Sequence, residues 1–429
     1  MKKIFTFAAA AAIVLSACAK IEAEKNIVEE PISFGAYAGN SLTKAGTAGE
    51  LTTDGSATGT VSLQTTGFGV FAYQTTGTAS LGEPNFMYNT KVSGSTWTYD
   101  IIKYWPNQIQ AGDTDSQTVP ADAYQADKVS FFAYAPYVSV TASSGALKSP
   151  DTDNTYGITA LTSNATSGDP KVSYKVSNDL DKQVDLVWGV VNPAADQTWS
   201  TVAGTSITLD KGLPYLGLQK PALNTPIHFY FRHALAQLKL QAVAAYNQVA
   251  SGGTAQDGVK ITIKQVELTV PGMYQTAVLN LNNTTANTPK WESETGSSSL
   301  ALTVSGDNVN SILKDGGDVA ASSQPTGVTG TATDVITAGK YYTLIPTDAS
   351  TSVTVKVTYY VTTDDADLKK GYSRVENVIS HDVTFSSGFA AGTKNTIKMI
   401  LGISEVKFEA SVEPWATGDS QDVNLPINS

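Results

Sequence analysis

The stretch "SVTVKVTYYVTT", Ser352 to Thr363, places Val353, Val355, Val357 and Tyr359 on one side of an extended chain. Thr354, Lys356 and Thr358 fall on the other. Strict alternation of this kind, in β-branched and aromatic residues, is the pattern of a strand with one buried face. Similar runs recur in both directions: "FGVFAYQT" from Phe68, "VSFFAYAPYVSV" from Val129, "KVSYKVS" from Lys171, "QVDLVWGVV" from Gln183 and "VKITIKQVELTV" from Val259. In the last of these the apolar phase changes between Ile263 and Val266, which predicts a bulge near Lys264 and Gln265. Polar turn clusters such as "GTASLGEPN" separate the runs. Short strands at this spacing read as an all-β protein of sandwich type. In "FRHALAQLKL" the "HALAQL" segment is expected to make a helical turn between two strands.

Composition supports the same class. Among 429 residues there are 35 Gly and 19 Tyr, and only 16% are charged, which suits strands and turns better than charged amphipathic helices. The length suggests two domains. Three prolines and two glycines in "KGLPYLGLQKPALNTP", Lys211 to Pro226, place the boundary, giving sandwiches over 45–220 and 221–429. The net charge of -11, with Arg232 and Arg374 the only arginines, argues against a nucleic-acid partner.

The first 18 residues, "MKKIFTFAAAAAIVLSAC", have a basic start, an apolar run and small residues, the layout of an export signal. They end in L-S-A-C, like a bacterial lipobox, and Cys18 is the only cysteine in the chain. Cleavage before Cys18 and its acylation would hold the precursor at a membrane, since several acyl chains together anchor stably. A charged tether leads to residue 31. "ISFGAYAG" then reads as a strand with Ile32, Phe34, Ala36 and Ala38 on its apolar face, and a Gly/Ser/Thr-rich segment follows it. Lys44 stands in that segment as the only basic residue between Lys25 and Lys91.

Two alternating segments lie near the end of the sequence. Val406, Phe408, Ala410 and Val412 alternate with polar residues up to Trp415, and Val423, Leu425 and Ile427 alternate after "ATGDS". Pro426, lacking an N–H, suits an edge strand or an added one. Signs of chemistry are weak. The three histidines, His228, His233 and His381, are too scattered for a metal site. "DTDNTYG" from Asp151 lacks the glycine and the closing glutamate of a calcium loop. "GFGVFA" from Gly67 enters a strand instead of opening a helix, so it is no dinucleotide fingerprint. The expectation is a non-enzymatic protein with no cofactor and no metal. The aromatics of "STWTYDIIKYWP" (Trp97, Tyr99, Tyr104, Trp105) suit the end of a sandwich core better than a sugar-stacking platform, although a surface glycan-binding lipoprotein is an alternative.

The lipobox, "PISFGAYAG" with a basic residue after it, "YWP", "FFAYAPY", "QVDLVWG", "FRHALAQLKL" and "VEPW" together resemble the fimbrillin family of Bacteroidetes, the type V pilins. The similarity extends over nearly the whole chain. It implies two β-sandwich domains of transthyretin-like type, export as a lipoprotein, and assembly into a surface fimbria. It also implies a maturation protease that cuts after a basic residue, here between Lys44 and Ala45. Removal of the first strand would open a groove, and a strand from another subunit, drawn from residues 404–429, would fill it. The partners implied are other fimbrial subunits, the maturation protease, the outer membrane through the acyl anchor, and host or bacterial surface ligands. A tip adhesin or anchor subunit, with the closing strands folded back, is the alternative within the family.

Overall fold

The computed structural model describes residues 30–38, 50–53, 60–76, 81–106, 127–148, 155–202, 204–245, 258–296, 299–402 and 406–415. The protein is all-β and layered. A seven-stranded sheet carries, in order, Phe34–Ala38, Ile227–His233, Val187–Val190, Asp127–Ala135, Phe68–Thr76 and Met87–Val92, with Tyr215–Leu218 also paired to Asp127–Ala135. Every pairing is antiparallel except the outermost one, where Phe34–Ala38 runs parallel to Ile227–His233. The centre of this sheet is buried on both faces, which explains why "VSFFAYA" is apolar without alternation. Val129, Phe131 and Ala133 point into one core, with Ile32, Phe34 and Phe229. Phe132 and Tyr134 point into another, with Trp188 and Val190.

The second core lies between further sheets. One pairs Ala236–Ala244 in parallel with Thr393–Leu401, whose other edge is taken by the antiparallel strand Val406–Pro414. The other runs Ser299–Ser305, Val259–Pro271, Thr351–Asp364, Tyr372–Phe385. Val353, Val355, Val357 and Tyr359 are all buried, as the alternation requires. The register of Val259–Pro271 against Thr351–Asp364 shifts between Ile263 and Gln265, where the apolar phase changes.

A four-stranded sheet joins segments far apart in sequence: Lys171–Lys175 pairs with Gly157–Leu161 on one side and Thr276–Asn280 on the other. A polar network fastens this seam. Asp169 accepts from Asn280 (2.9 Å) and Asn282 (2.8 Å), while Glu292 takes Lys171 Nζ at 2.7 Å and Lys290 Nζ at 3.3 Å. Those contacts hold the Glu292 carboxyl at about 2, the Lys171 hydrogen bond contributing most.

The helical turn expected at "HALAQL" is absent. Ala234 and Leu235 are fully buried and take their backbone partners from elsewhere: Ala234 N–H donates to Leu186 O (2.8 Å), and Leu235 O accepts from Gly392 N–H (2.8 Å). Ala236 already pairs with Leu344 as strand. The helix propensity of an Ala/Leu string yields to tertiary hydrogen bonding because buried amides must find partners.

Candidate functional site

The alternation at Ile32–Ala38 becomes the outermost strand of the seven-stranded sheet. Its side chains Ile32, Phe34, Ala36 and Ala38 are each at most 5% exposed. Phe34 is the centre: its ring stacks on Phe229 (6.2 Å, 12° between planes) and meets Tyr99, Phe131 and Phe68 edge-on at 5.3, 6.2 and 6.5 Å. Tyr37, on the opposite face, rests on Tyr230 and is exposed. Gly35 lies under His228, where a Cβ would fall 2.4 Å from Nδ1, so any larger residue there must displace the imidazole.

Among the described residues only one long side of this strand is laddered, in register from Phe34 opposite Ile227 to Ala38 opposite Phe231. The other side is fastened at its ends. At the start, Ile32 N–H donates to Lys103 O (2.8 Å), Trp105 N–H donates to Glu30 O (3.2 Å) and the Tyr99 hydroxyl donates to Ile32 O (2.7 Å). At the finish, Ala38 N–H donates to Thr53 Oγ1 (3.0 Å), whose hydroxyl donates back to Ala38 O (2.7 Å). Burial pushes the Tyr99 hydroxyl up. Burial pushes the His228 imidazole down. The strand is thus an apolar plug, pinned at both ends and paired along one edge. Without it, Phe68, Tyr99, Phe131 and Phe229 would line an open groove beside the unpaired edge of Ile227–His233.

The aromatic motif belongs to this clamp. Tyr99 and Trp105 are buried, Trp105 packing on Phe131 (5.7 Å) and Trp199 (5.7 Å); Trp97 is half-buried against Phe68, and Tyr104 alone of the four is exposed. The core-end reading holds and no flat stacking platform forms.

The structure joins a further set that the sequence did not flag. Asp185 is buried, and its Oδ2 accepts from Leu51 N–H (3.1 Å) and lies 2.8 Å from His233 Nδ1. The His233 ring stacks on Trp415 at 3.9 Å and 7°. Leu51 follows Lys44 in the chain, His233 ends the strand that pairs with Phe34–Ala38, and Trp415 comes directly after the strand Val406–Pro414. No spacing rule could bring residues 51, 185, 233 and 415 together; the only hint is a lone Asp in the apolar string "QVDLVWG".

Val406–Pro414 occupies the edge of its own sheet, with Phe408 and Ala410 buried and Val412 half-buried. A cavity of about 200 Å³ lies beside its end, lined by residues such as Phe385, Gly388, Val412 and Pro414. Cys18, Lys44, Ala45, Val423, Leu425 and Ile427 lie outside the described residues. Among the described residues no cluster of His, Cys, Asp and Glu suits a metal, and no helix is long and apolar enough to cross a membrane.

The class defined so far is a layered all-β protein with a plug-like first strand. No protein-family model matches the chain. A curated relative, the fimbrium subunit Fim1C of Phocaeicola vulgatus, is 25% identical over 360 residues, covering 80% of this chain and 78% of that one. A solved fimbrial protein from Bacteroides vulgatus ATCC 8482 superposes with a TM-score of 0.57 at 20% identity, over 90% of this chain and 99% of the other, which establishes a shared fold. The resemblance to the fimbrillin family of Bacteroidetes holds in these comparisons.

Proposed function

We propose that this chain is a non-enzymatic structural subunit of a cell-surface fimbria that polymerises by strand exchange. The precursor is acylated at Cys18 and held at the outer membrane. Cleavage between Lys44 and Ala45 frees the segment bearing Ile32, Phe34, Ala36 and Ala38. A strand from the C-terminal region of another subunit, carrying Val423, Leu425 and Ile427, then fills the groove. The observation that supports this most is the first strand itself: its four inward side chains are buried, yet among the described residues it is laddered along one edge only. A donated strand would satisfy both the apolar groove and the exposed backbone edge. Repeated head to tail, such a contact does not close on itself and grows a filament. Sequencing the N-terminus of protein sheared from cells tests the maturation step; Ala45 is the expected first residue, and an intact acylated Cys18 on filament protein would refute it.

The alternative of a tip or anchor subunit draws on a specific observation: Val406–Pro414 completes its own sheet and Trp415 is locked under His233. Truncation after Pro414 separates the two. A shaft subunit then loses polymerisation, whereas a tip subunit still joins one partner.

A further inference from the structure

The two ends of the first strand differ in what they present to solvent. At the Ile32 end, the segment that clamps it exposes Ile101 (81%), Ile102 and Tyr104; Leu223 (79% exposed) is one residue from Asn224, which accepts a hydrogen bond from Ser33 Oγ at 3.3 Å. Ile101 also sits at a φ of 59°. A β-branched residue is strained in that left-handed region, and its side chain here gains no burial in return. At the Ala38 end the contacts are the polar Thr53 and the buried Leu51, and neither Leu51 nor Val61 is exposed. Tyr37, the exposed aromatic between the ends, would leave with the strand.

We infer that the rim of Ile101, Ile102, Tyr104 and Leu223 seats the body of the subunit whose tail fills the groove, and that this tail runs in the same direction as the strand it replaces. The inference rests on the strand-exchange reading above. A tail that follows Trp415 is preceded in the chain by its own body. Ala416–Asp422, seven residues, spans at most about 25 Å, and the groove from Ile32 to Ala38 is itself roughly 20 Å long. The donor body therefore abuts the end at which its tail enters. Among the described residues, the Ile32 end offers an apolar rim to cover, on and beside the clamp segment Tyr99–Trp105, and the Ala38 end offers none. Entry there sends the tail from the Ile32 position towards the Ala38 position. It then lies parallel to Ile227–His233, keeping the ladder geometry of the precursor.

The test uses the full chain cut after Lys44, with a peptide of residues 421–429 as the isolated tail. Substituting Ile101→Ser, Ile102→Ser and Leu223→Ser together alters exposed positions only. The expected result is peptide binding within twofold of the unsubstituted protein and subunit association weaker by at least about tenfold. Unchanged association overturns the inference while leaving strand exchange intact. Failure of the unsubstituted cut chain to bind the peptide removes the strand-exchange reading and this inference with it. Direction is read by disulfide trapping: a Gln421→Cys peptide should cross-link to Ile102→Cys and not to Thr53→Cys, and the reverse pattern overturns it.

Discussion

Phe34→Ala is the perturbation that separates a plug from an ordinary core strand. The ring is 5% exposed and touches four other rings. Large-to-small changes of this kind cost roughly 3–5 kcal/mol, the transfer term plus the residual cavity. The Phe34 site can relax more than a central one because the strand lies at an edge, so about 3 kcal/mol is expected for the precursor. In a β-sandwich of 150–250 residues that is a fall in Tm of roughly 6–12 °C. If the chain is cut after Lys44 as proposed, residue 34 leaves with the strand, so filaments grown from Phe34→Ala precursor should match unsubstituted filaments in stability. Calorimetry on the acyl-free precursor and on sheared filaments measures both. A stable Phe34→Ala precursor would refute the packing argument, and weakened Phe34→Ala filaments would refute removal of the strand.

Three further predictions follow from the same geometry. Gly35→Ala should destabilise the precursor by about 1–3 kcal/mol through the close approach to His228, and His228→Ala in the same chain should recover most of that loss on chemical denaturation. Asp185→Ala should cost roughly 2–4 kcal/mol by stranding the Leu51 amide and His233, and should raise hydrogen exchange in 406–415 through the stacked Trp415; unchanged exchange there would deny the connection. Glu292, with its carboxyl lowered from 4.5 to about 2, contributes stability that is present above pH 4.5 and lost as the pH falls towards 2; the effect is about 1 kcal/mol after solvent screening, and Glu292→Gln should flatten that part of a pH–stability curve.

Strands whose two faces differ were legible in the sequence, because burial on one side writes a period of two. Thr351–Asp364 and the shift at Ile263–Gln265 were readable for this reason, as was the apolar face of Ile32–Ala38. Pairing was not. That Phe34–Ala38 lies parallel to Ile227–His233, or that Lys171–Lys175 joins Thr276–Asn280, depends on contacts between segments about a hundred or more residues apart. The "HALAQL" segment was misread because local propensity says nothing of the amide partners offered by Leu186 and Gly392. The clamp around the first strand was half-visible: the aromatics of "STWTYDIIKYWP" announced a core end, but not that Tyr99 and Lys103 would bind Ile32. The Asp185, His233 and Trp415 set left only the lone Asp in "QVDLVWG" as a sign, since its members come from three separate parts of the chain.

With strand exchange as proposed, the seat beside Ile227–His233 is filled from outside the subunit in the filament. Electron cryo-microscopy of sheared fimbriae reads that seat directly. The expected result is density for a neighbouring subunit's strand, with Val423, Leu425 and Ile427 facing Phe68, Phe131 and Phe229. Density for the subunit's own Phe34–Ala38, still connected through Lys44 to Ala45, would contradict it.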